Sequence, residues 1–470
     1  MSRGEPPGAG ASAVPGLTPS GPGFKELMAI RPFRNLFLAG SFSSFGDWLA
    51  LLATTALAAE MAHGGVGEYL AVSGVFILRI APAVLLGPVA GLVADRLDRR
   101  HTMIVGDVLR FVIFVSIPVV GRLWWMYVAI VLNECISLFW NPAKDATVPN
   151  LVPARHLELA NQLNLVGSYG TAPLAALVFS GLALLSEPLR VLFPGLDPEG
   201  VFLAINVNGL TFLVSAWIVW RLRFPPREAG RMLAAESVWR TLADGLLIVR
   251  DRPFVRGLIG GMLGAFAGGG LVIGLATRFT EDMGAGAPGY GMLFVAVFSG
   301  MAAGLVAGPR VLAGFSRARL FGAALAGAGC VLIGLAVGPT LWFALPLATV
   351  LGALVGVAWV VGYTLIGLTV EDEIRGRAFA LVQSLDNVVL LVVLALAPLL
   401  AAGFDALLGL PRTWTLASLT LTYTGAMVTY LLAGLAMLLA GALAWRSMND
   451  RPGMSLLAEL REVRAQRRGS

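Results

Sequence analysis

Apolar residues run along this chain in stretches long enough to cross a bilayer, which takes roughly 20 residues as a helix. Short polar connections separate them. The pattern predicts spans near 33–59, 69–94, 101–121, 123–146, 161–186, 200–222, 254–278, 288–310, 318–338, 341–369, 377–402 and 422–446. A soluble helical core would show a polar stripe at helical spacing, and runs such as LAGLAMLLAGALAW at 432–445 have none. The expected fold class is therefore an all-α membrane protein with about 12 transmembrane helices.

Composition agrees, since 57% hydrophobic against 13% charged residues is more apolar surface than a soluble domain buries. Residues 1–24, rich in Gly, Pro and Ser, read as a disordered N-terminal tail. Cys135 and Cys330 both fall inside predicted spans, so neither a disulfide nor redox chemistry is indicated.

Charge orients the spans. Of the 34 Lys and Arg residues, four (Arg122, Arg190, Arg278, Arg412) fall on the side opposite the termini and two (Arg79, Arg110) within spans. The rest lie on the side holding both termini. The positive-inside bias then makes both termini cytoplasmic and the span number even, in a cell (inner) membrane. The formal charge of +6 reflects this topology, with arginines facing anionic lipid, and nothing suggests nucleic acid.

Residues 223–253 form a basic cytoplasmic linker around the amphipathic stretch ESVWRTLADGLLIVRD, and residues 447–470 a basic tail. Between them lie two six-helix halves, 25–222 and 254–446. A weak repeat supports the halves, for at an offset of 222 residues Thr147, Val148, Arg155, Leu159 and Leu163 match Thr369, Val370, Arg377, Leu381 and Leu385.

At the end of the second span the chain reads GPVAGLVADRLDRRH. Gly91, Asp95, Arg96, Arg99 and Arg100 resemble the loop signature of the major facilitator superfamily, with Asp98 where many members have Gly. DRLDRRHTMIVGDVLR, FWNPAKDATVPNLVPARHLELANQLN, Arg79 before Pro82 and RGRAF at 375–379 resemble its drug:proton antiporter branch, which holds macrolide-efflux and enterobactin-exporter-like proteins. The resemblance implies the major facilitator fold, with two pseudo-symmetric halves. It also implies a cytoplasmic gate in which Asp95 meets the eleventh helix near Arg375 and Arg377. Asp107 and Arg110, spaced i, i+3, read as a local pair belonging to the same gate. The corresponding loop of the second half has Arg317 and Arg319 but no acidic counterpart to Asp95.

Ionisable groups within spans cost at least a few kcal/mol each, so each invites a functional reading. Asp47, Arg79, Glu134 and Asp386 fall near the midplane or just beyond it. Glu134 reads either as a proton carrier or as the structural partner of Arg79, and Asp47 either as a coupling group or as a packing residue beside Gly46 and Trp48. Asn133, Gln383 and Asn387 offer hydrogen bonds to substrate or to neighbouring helices. Trp48, Trp140 and the glycine runs at 265–270 and 351–359 read as packing.

No phosphate loop is visible, because Lys25 and Lys144 lack the Gly-Lys-Ser/Thr context, and no HExxH, GxSxG or metal cluster appears. An enzyme is not expected, nor a cofactor beyond a proton gradient. The leading expectation is a monomeric secondary transporter exporting a small amphipathic molecule, such as a drug, siderophore or metabolite, in exchange for protons. An importer, or a transport-incompetent receptor or scaffold of the same fold, is the alternative.

Overall fold

A computed structural model describes residues 22–62, 65–94, 97–153, 156–192, 200–222, 253–311, 314–338, 340–369, 372–416 and 419–448. The tail before Pro22, the linker stretch 223–252 and the tail after Met448 lie outside the described residues, as do Asp95, Arg96 and Arg155. Among the described residues twelve helices are long and apolar enough to cross a membrane, the number that the hydrophobic pattern predicts.

A short helix, α1 (Pro22–Ala29), begins inside the segment expected to be a tail. It stays ordered because Leu27 is fully buried among Phe33, Leu36, Met103 and Trp140. The first half follows as α2 (Arg31–Met61), α3 (Val66–Ala94), α4 (Arg99–Val120), α5 (Leu123–Asp145), the single turn α6 (Val148–Leu151), α7 (Leu157–Tyr169), α8 (Ala172–Leu192) and α9 (Val201–Arg221). The second half is α10 (Pro253–Asp282), α11 (Gly286–Val311), α12 (Arg317–Ala336), α13 (Leu341–Thr369), α14 (Asp372–Leu408) and α15 (Gly425–Ser447). Because the spans are even in number, Pro22 and Met448 share one face of the bundle, called here the termini face; the opposite one is the far face.

Two elements differ from the pattern's prediction. The fifth span is split into α7 and α8 at Gly170 and Thr171. Pro173 explains the break, since it has no N–H to offer the Tyr169 carbonyl one turn back. The connection expected between the last two spans, 403–421, holds a hairpin that runs into the first two residues of the expected twelfth span, β1 (Arg412–Leu416) pairing antiparallel with β2 (Leu419–Tyr423) in the register Trp414 to Leu421. Thr413, Thr415, Thr420 and Thr422 alternate with larger residues, a period-2, β-branched pattern that suits a strand. The helix then starts at Gly425, whose backbone N–H donates to Asp405 Oδ1 at 2.6 Å.

Helix pairing repeats between the halves. In the first half α3 packs on α5, and α4 on both α5 and α9; in the second α11 packs on α13, and α12 on both α13 and α15. Two extensive cross-pairs, α8 with α11 and α3 with α14, and a smaller one, α2 with α10, join the halves. The basic loops show the same repeat, for Asp98 caps α4 by accepting from the His101 N–H and Ser316 caps α12 by accepting from the Arg319 N–H. This also accounts for Asp98 standing where the superfamily signature has Gly: it is a helix N-cap. Arg100 then donates to the Trp220 carbonyl of α9, while the Arg319 guanidinium lies 5.2 Å from the Trp445 ring of α15.

Small residues set the closest approaches. A Cβ at Gly304 of α11 would lie 2.9 Å from the Ala353 carbonyl carbon of α13, and one at Gly352 would lie 2.8 Å from the Val297 carbonyl carbon. Helices this close gain dispersion contacts, the main attraction left when lipid is the solvent. Gly352 and Gly356 of the 351–359 run thus pack as expected, while Val355, Ala358 and Trp359 of the same run border a cavity.

Candidate functional site

The halves meet chiefly toward the far face. Arg278 of α10 reaches Glu68 of α3 at 3.1 Å, and Tyr69 of α3 donates to Asp405 of α14 at 2.8 Å. Thr55 of α2 and the Tyr290 hydroxyl of α11 lie 2.8 Å apart, and Ser180 of α8 donates to the Pro288 carbonyl at 3.0 Å. Arg278 also pairs with Asp282 at 3.0 Å and Glu281 at 4.0 Å on its own helix. Sequence reading placed Arg278 only by its side of the membrane; nothing in a sequence two hundred residues apart signals that Glu68 is its partner.

Below this closure lies a cavity of about 130 Å³ between the halves. Its wall is aromatic, with Trp48 of α2, Tyr169 of α7, Phe266 of α10, Phe298 of α11 and Trp359 of α13. The rings brace one another edge-on: Trp48 and Phe298 have centroids 5.0 Å apart, Phe266 and Trp359 5.3 Å, and Tyr169 and Trp359 5.9 Å. The Trp48 indole N–H donates to the Ser168 carbonyl at 2.8 Å, which fixes that ring. Trp48, expected to be a packing residue, therefore faces the cavity. Trp140 does pack: it is buried, with Arg110 and Lys144 5.4 Å and 5.7 Å from its ring centroid. The 265–270 run divides likewise, Gly268 and Gly270 packing on neighbouring helices while Gly269 borders the cavity.

The first half carries most of the predicted ionisable residues. Arg79 and Glu134 form an ion pair at 3.5 Å, each about one-fifth exposed. Asn133 donates to Glu134 at 3.3 Å. Arg110 is wholly buried and spans four helices: it donates to Ser43 of α2 at 3.2 Å and Ser137 of α5 at 2.6 Å, faces Asp107 at 3.8 Å and lies 5.1 Å from the Phe212 ring of α9. Asp107 and Arg110 thus sit in the interior of the first half. Asp47 feels the charges of Arg110, Arg79 and Lys144, and among the described residues it has no hydrogen-bond partner.

In the second half Asp386 of α14 is 1% exposed, and neither of its oxygens has a hydrogen-bond partner among the described residues. The side chains of Gln383, Asn387, Arg375 and Arg377 lie outside those described, and so does the surrounding of Gly91. Of the expected gate residues, Arg99 donates to the Ala146 carbonyl at 2.7 Å, tying α4 to the end of α5 within one half. The His101 backbone N–H, together with the His101 ring and nearby Arg100, holds the Asp98 carboxyl below the usual carboxylate range.

Comparison with known proteins agrees with this architecture. The family described as transmembrane secretion effectors matches residues 26–392. An uncharacterized MFS-type transporter, YfiS of Bacillus subtilis, is 28% identical over 47% of this chain and 49% of its own length. Mb0038c of Mycobacterium bovis, also an uncharacterized MFS-type transporter, is 25% identical over 77% of this chain and 83% of its own. BacE of Bacillus subtilis, described as a candidate bacilysin exporter, is 26% identical over 48% of this chain and 53% of its own. The chain thus matches about half the length of YfiS and of BacE. Among solved structures, a variant of the nucleoside transporter NupG superposes with a TM-score of 0.64 at 11% identity, covering 89% of this chain and 100% of that one. A bacterial homologue of the lysosomal transporter Spinster superposes with a TM-score of 0.60 at 17% identity, covering 89% and 95%. Twelve apolar helices, their pairing and the family match lead to one statement: this chain is a multi-pass membrane protein that belongs to the transmembrane secretion effector family of the major facilitator superfamily.

Proposed function

We propose that the chain is a monomeric, proton-coupled exporter of small amphipathic molecules, with its termini face in the cytoplasm. One observation carries the coupling: deep in the spans, away from both faces, four described carboxylates (Asp47, Asp107, Glu134, Asp386) are set against two guanidiniums (Arg79, Arg110) and the Lys144 ammonium that acts on Asp47. Uncompensated carboxylates in a low-dielectric interior are costly, so the surplus charge is met by protons or by a bound cation. As the halves rock, the carboxylates exchange protons with whichever face is open, and substrate moves the other way. Asp107 is held against Arg110 and serves the rigidity of the first half. Asp47, Glu134 and Asp386 are left to carry the exchange.

The direction rests on the arginine-rich connections of the termini face and on the export described for BacE. The contacts at the far face, with the cavity beneath them, correspond to a carrier closed toward the outside. Its Asp95 would then pair with α14 when the cytoplasmic side closes.

The test uses everted vesicles from an overexpressing strain and a panel of fluorescent amphipathic compounds. Uptake above vector control, abolished by a protonophore and by the combined D47N, E134Q and D386N substitutions, is the expected result. Undiminished uptake in the triple variant, or uptake indifferent to the protonophore, refutes the coupling.

A further inference from the structure

The carboxylates deep in the spans are not equivalent. Glu134 has Arg79 at 3.5 Å and Asp107 has Arg110 at 3.8 Å. Among the described residues Asp386 has no such partner: no cation acts on it, and neither of its buried oxygens has a hydrogen bond there. It precedes Leu390, which borders the cavity, by one helical turn on the same helix face. It also acts electrostatically on Tyr363, whose ring packs 6.4 Å from Trp359. A bare carboxylate therefore stands just behind a wall of aromatic rings.

Such rings do for a cation what water does, because each presents a negative face, and the effect grows when the cation is stripped of solvent. A neutral apolar ligand would leave Asp386 uncompensated, and an anion would be repelled by both Asp386 and Asp47. Arg79 and Arg110, the guanidiniums that an anion would need, are already engaged by Glu134 and Asp107.

We propose that the central cavity selects amphipathic cations, an ammonium or quaternary ammonium group lodging against the faces of Trp359 and Phe266 with Asp386, one turn from Leu390, as its counter-charge, while the apolar part lies against Trp48 and Phe298. This rests on the reading of the cavity as the transport site, but not on proton coupling. Exchange of a cation for protons at one carboxylate then requires no second site, since the two compete for Asp386.

The test is equilibrium binding of radiolabelled benzyltrimethylammonium to the full-length protein in lipid nanodiscs at pH 7.5, with no gradient present. Saturable binding is expected, displaced by unlabelled cation and not by benzylsulfonate, which has the same aromatic part and the opposite charge. D386N should weaken it at least about 30-fold, the loss expected when one partner of a buried charge pair is removed. D386E should restore most of it, and W359L should cost about 2- to 30-fold. Absence of saturable binding, displacement by benzylsulfonate, or unchanged affinity in D386N overturns the proposal. If binding behaves as expected while vesicle uptake ignores the protonophore, coupling falls and cation selection stands.

Discussion

Replacing Arg278 with glutamine probes the closure of the far face. Arg278 pairs with Asp282 and Glu281 on its own helix, and those pairs persist whichever way the carrier faces. Of the Arg278 contacts, the 3.1 Å one with Glu68 and the 5.9 Å approach to the Tyr69 ring cross between the halves and so bias the equilibrium. Glu68 is 3% exposed and Arg278 22%, so water screens the pair weakly. A hydrogen bond to a charged group contributes about 1.5–3 kcal/mol, which corresponds to about a 10- to 150-fold rise in the population open at the far face. Spin labels at Val119 of α4 and Leu407 of α14, both 82% exposed, with Cys135 and Cys330 replaced by alanine, report the opening as a longer inter-label distance. R278Q should enrich the long component, E68Q should shift it in the same direction, and the double variant should add little to R278Q. Distance distributions that superimpose on the parent protein for both single variants would refute the latch.

Three further outcomes follow from the same geometry. G291L inserts a side chain where a Cβ alone would stand 3.0 Å from both the Ala176 carbonyl oxygen and the Phe179 ring of the opposite half, so the same label pair should read a mostly open far face, with vesicle uptake lost. E134Q leaves Arg79 without its partner, so thermal melting of E134Q, R79Q and the double variant should show a coupling of about 1–3 kcal/mol; additive losses would mean that the ion pair is not structural. D98A removes the cap of α4 and should cost about 1 kcal/mol of stability, read as a lower melting temperature. Because the folded-state pKa of Asp98 is depressed, its charge stabilises the fold above about pH 4 and that contribution fades as pH falls through the lowered value, so D98N should flatten the acid limb of the melting profile.

The span number and most boundaries were legible because hydrocarbon imposes a length and a polarity on every crossing segment, and both are local properties of the chain. The breaks were less so. Pro173 was visible, but a proline within an apolar run is common in spans and does not announce whether the helix splits. The Thr-rich hairpin at 412–423 fell almost wholly in a connection between spans, where the hydrophobic pattern reports only that no helix crosses. The Arg79 and Glu134 pairing was among the readings open at the outset, and distance places the two together without deciding whether a proton also passes there.

What the residues alone determined was the solvent and the family. A chain this apolar must live in lipid, its arginines gather on one face, and GPVAGLVADRLDRRH carries its resemblance in consecutive positions. What only tertiary structure decided was which side chains meet. Glu68 and Arg278, Tyr69 and Asp405, and the ring wall built from Trp48, Phe266 and Trp359 each join helices far apart in sequence, and an apolar run looks the same whether it faces lipid, a neighbour or a cavity. The distance of Asp386 from any described cation is of this kind, since it depends on the helices packed around that carboxylate, which no local pattern encodes.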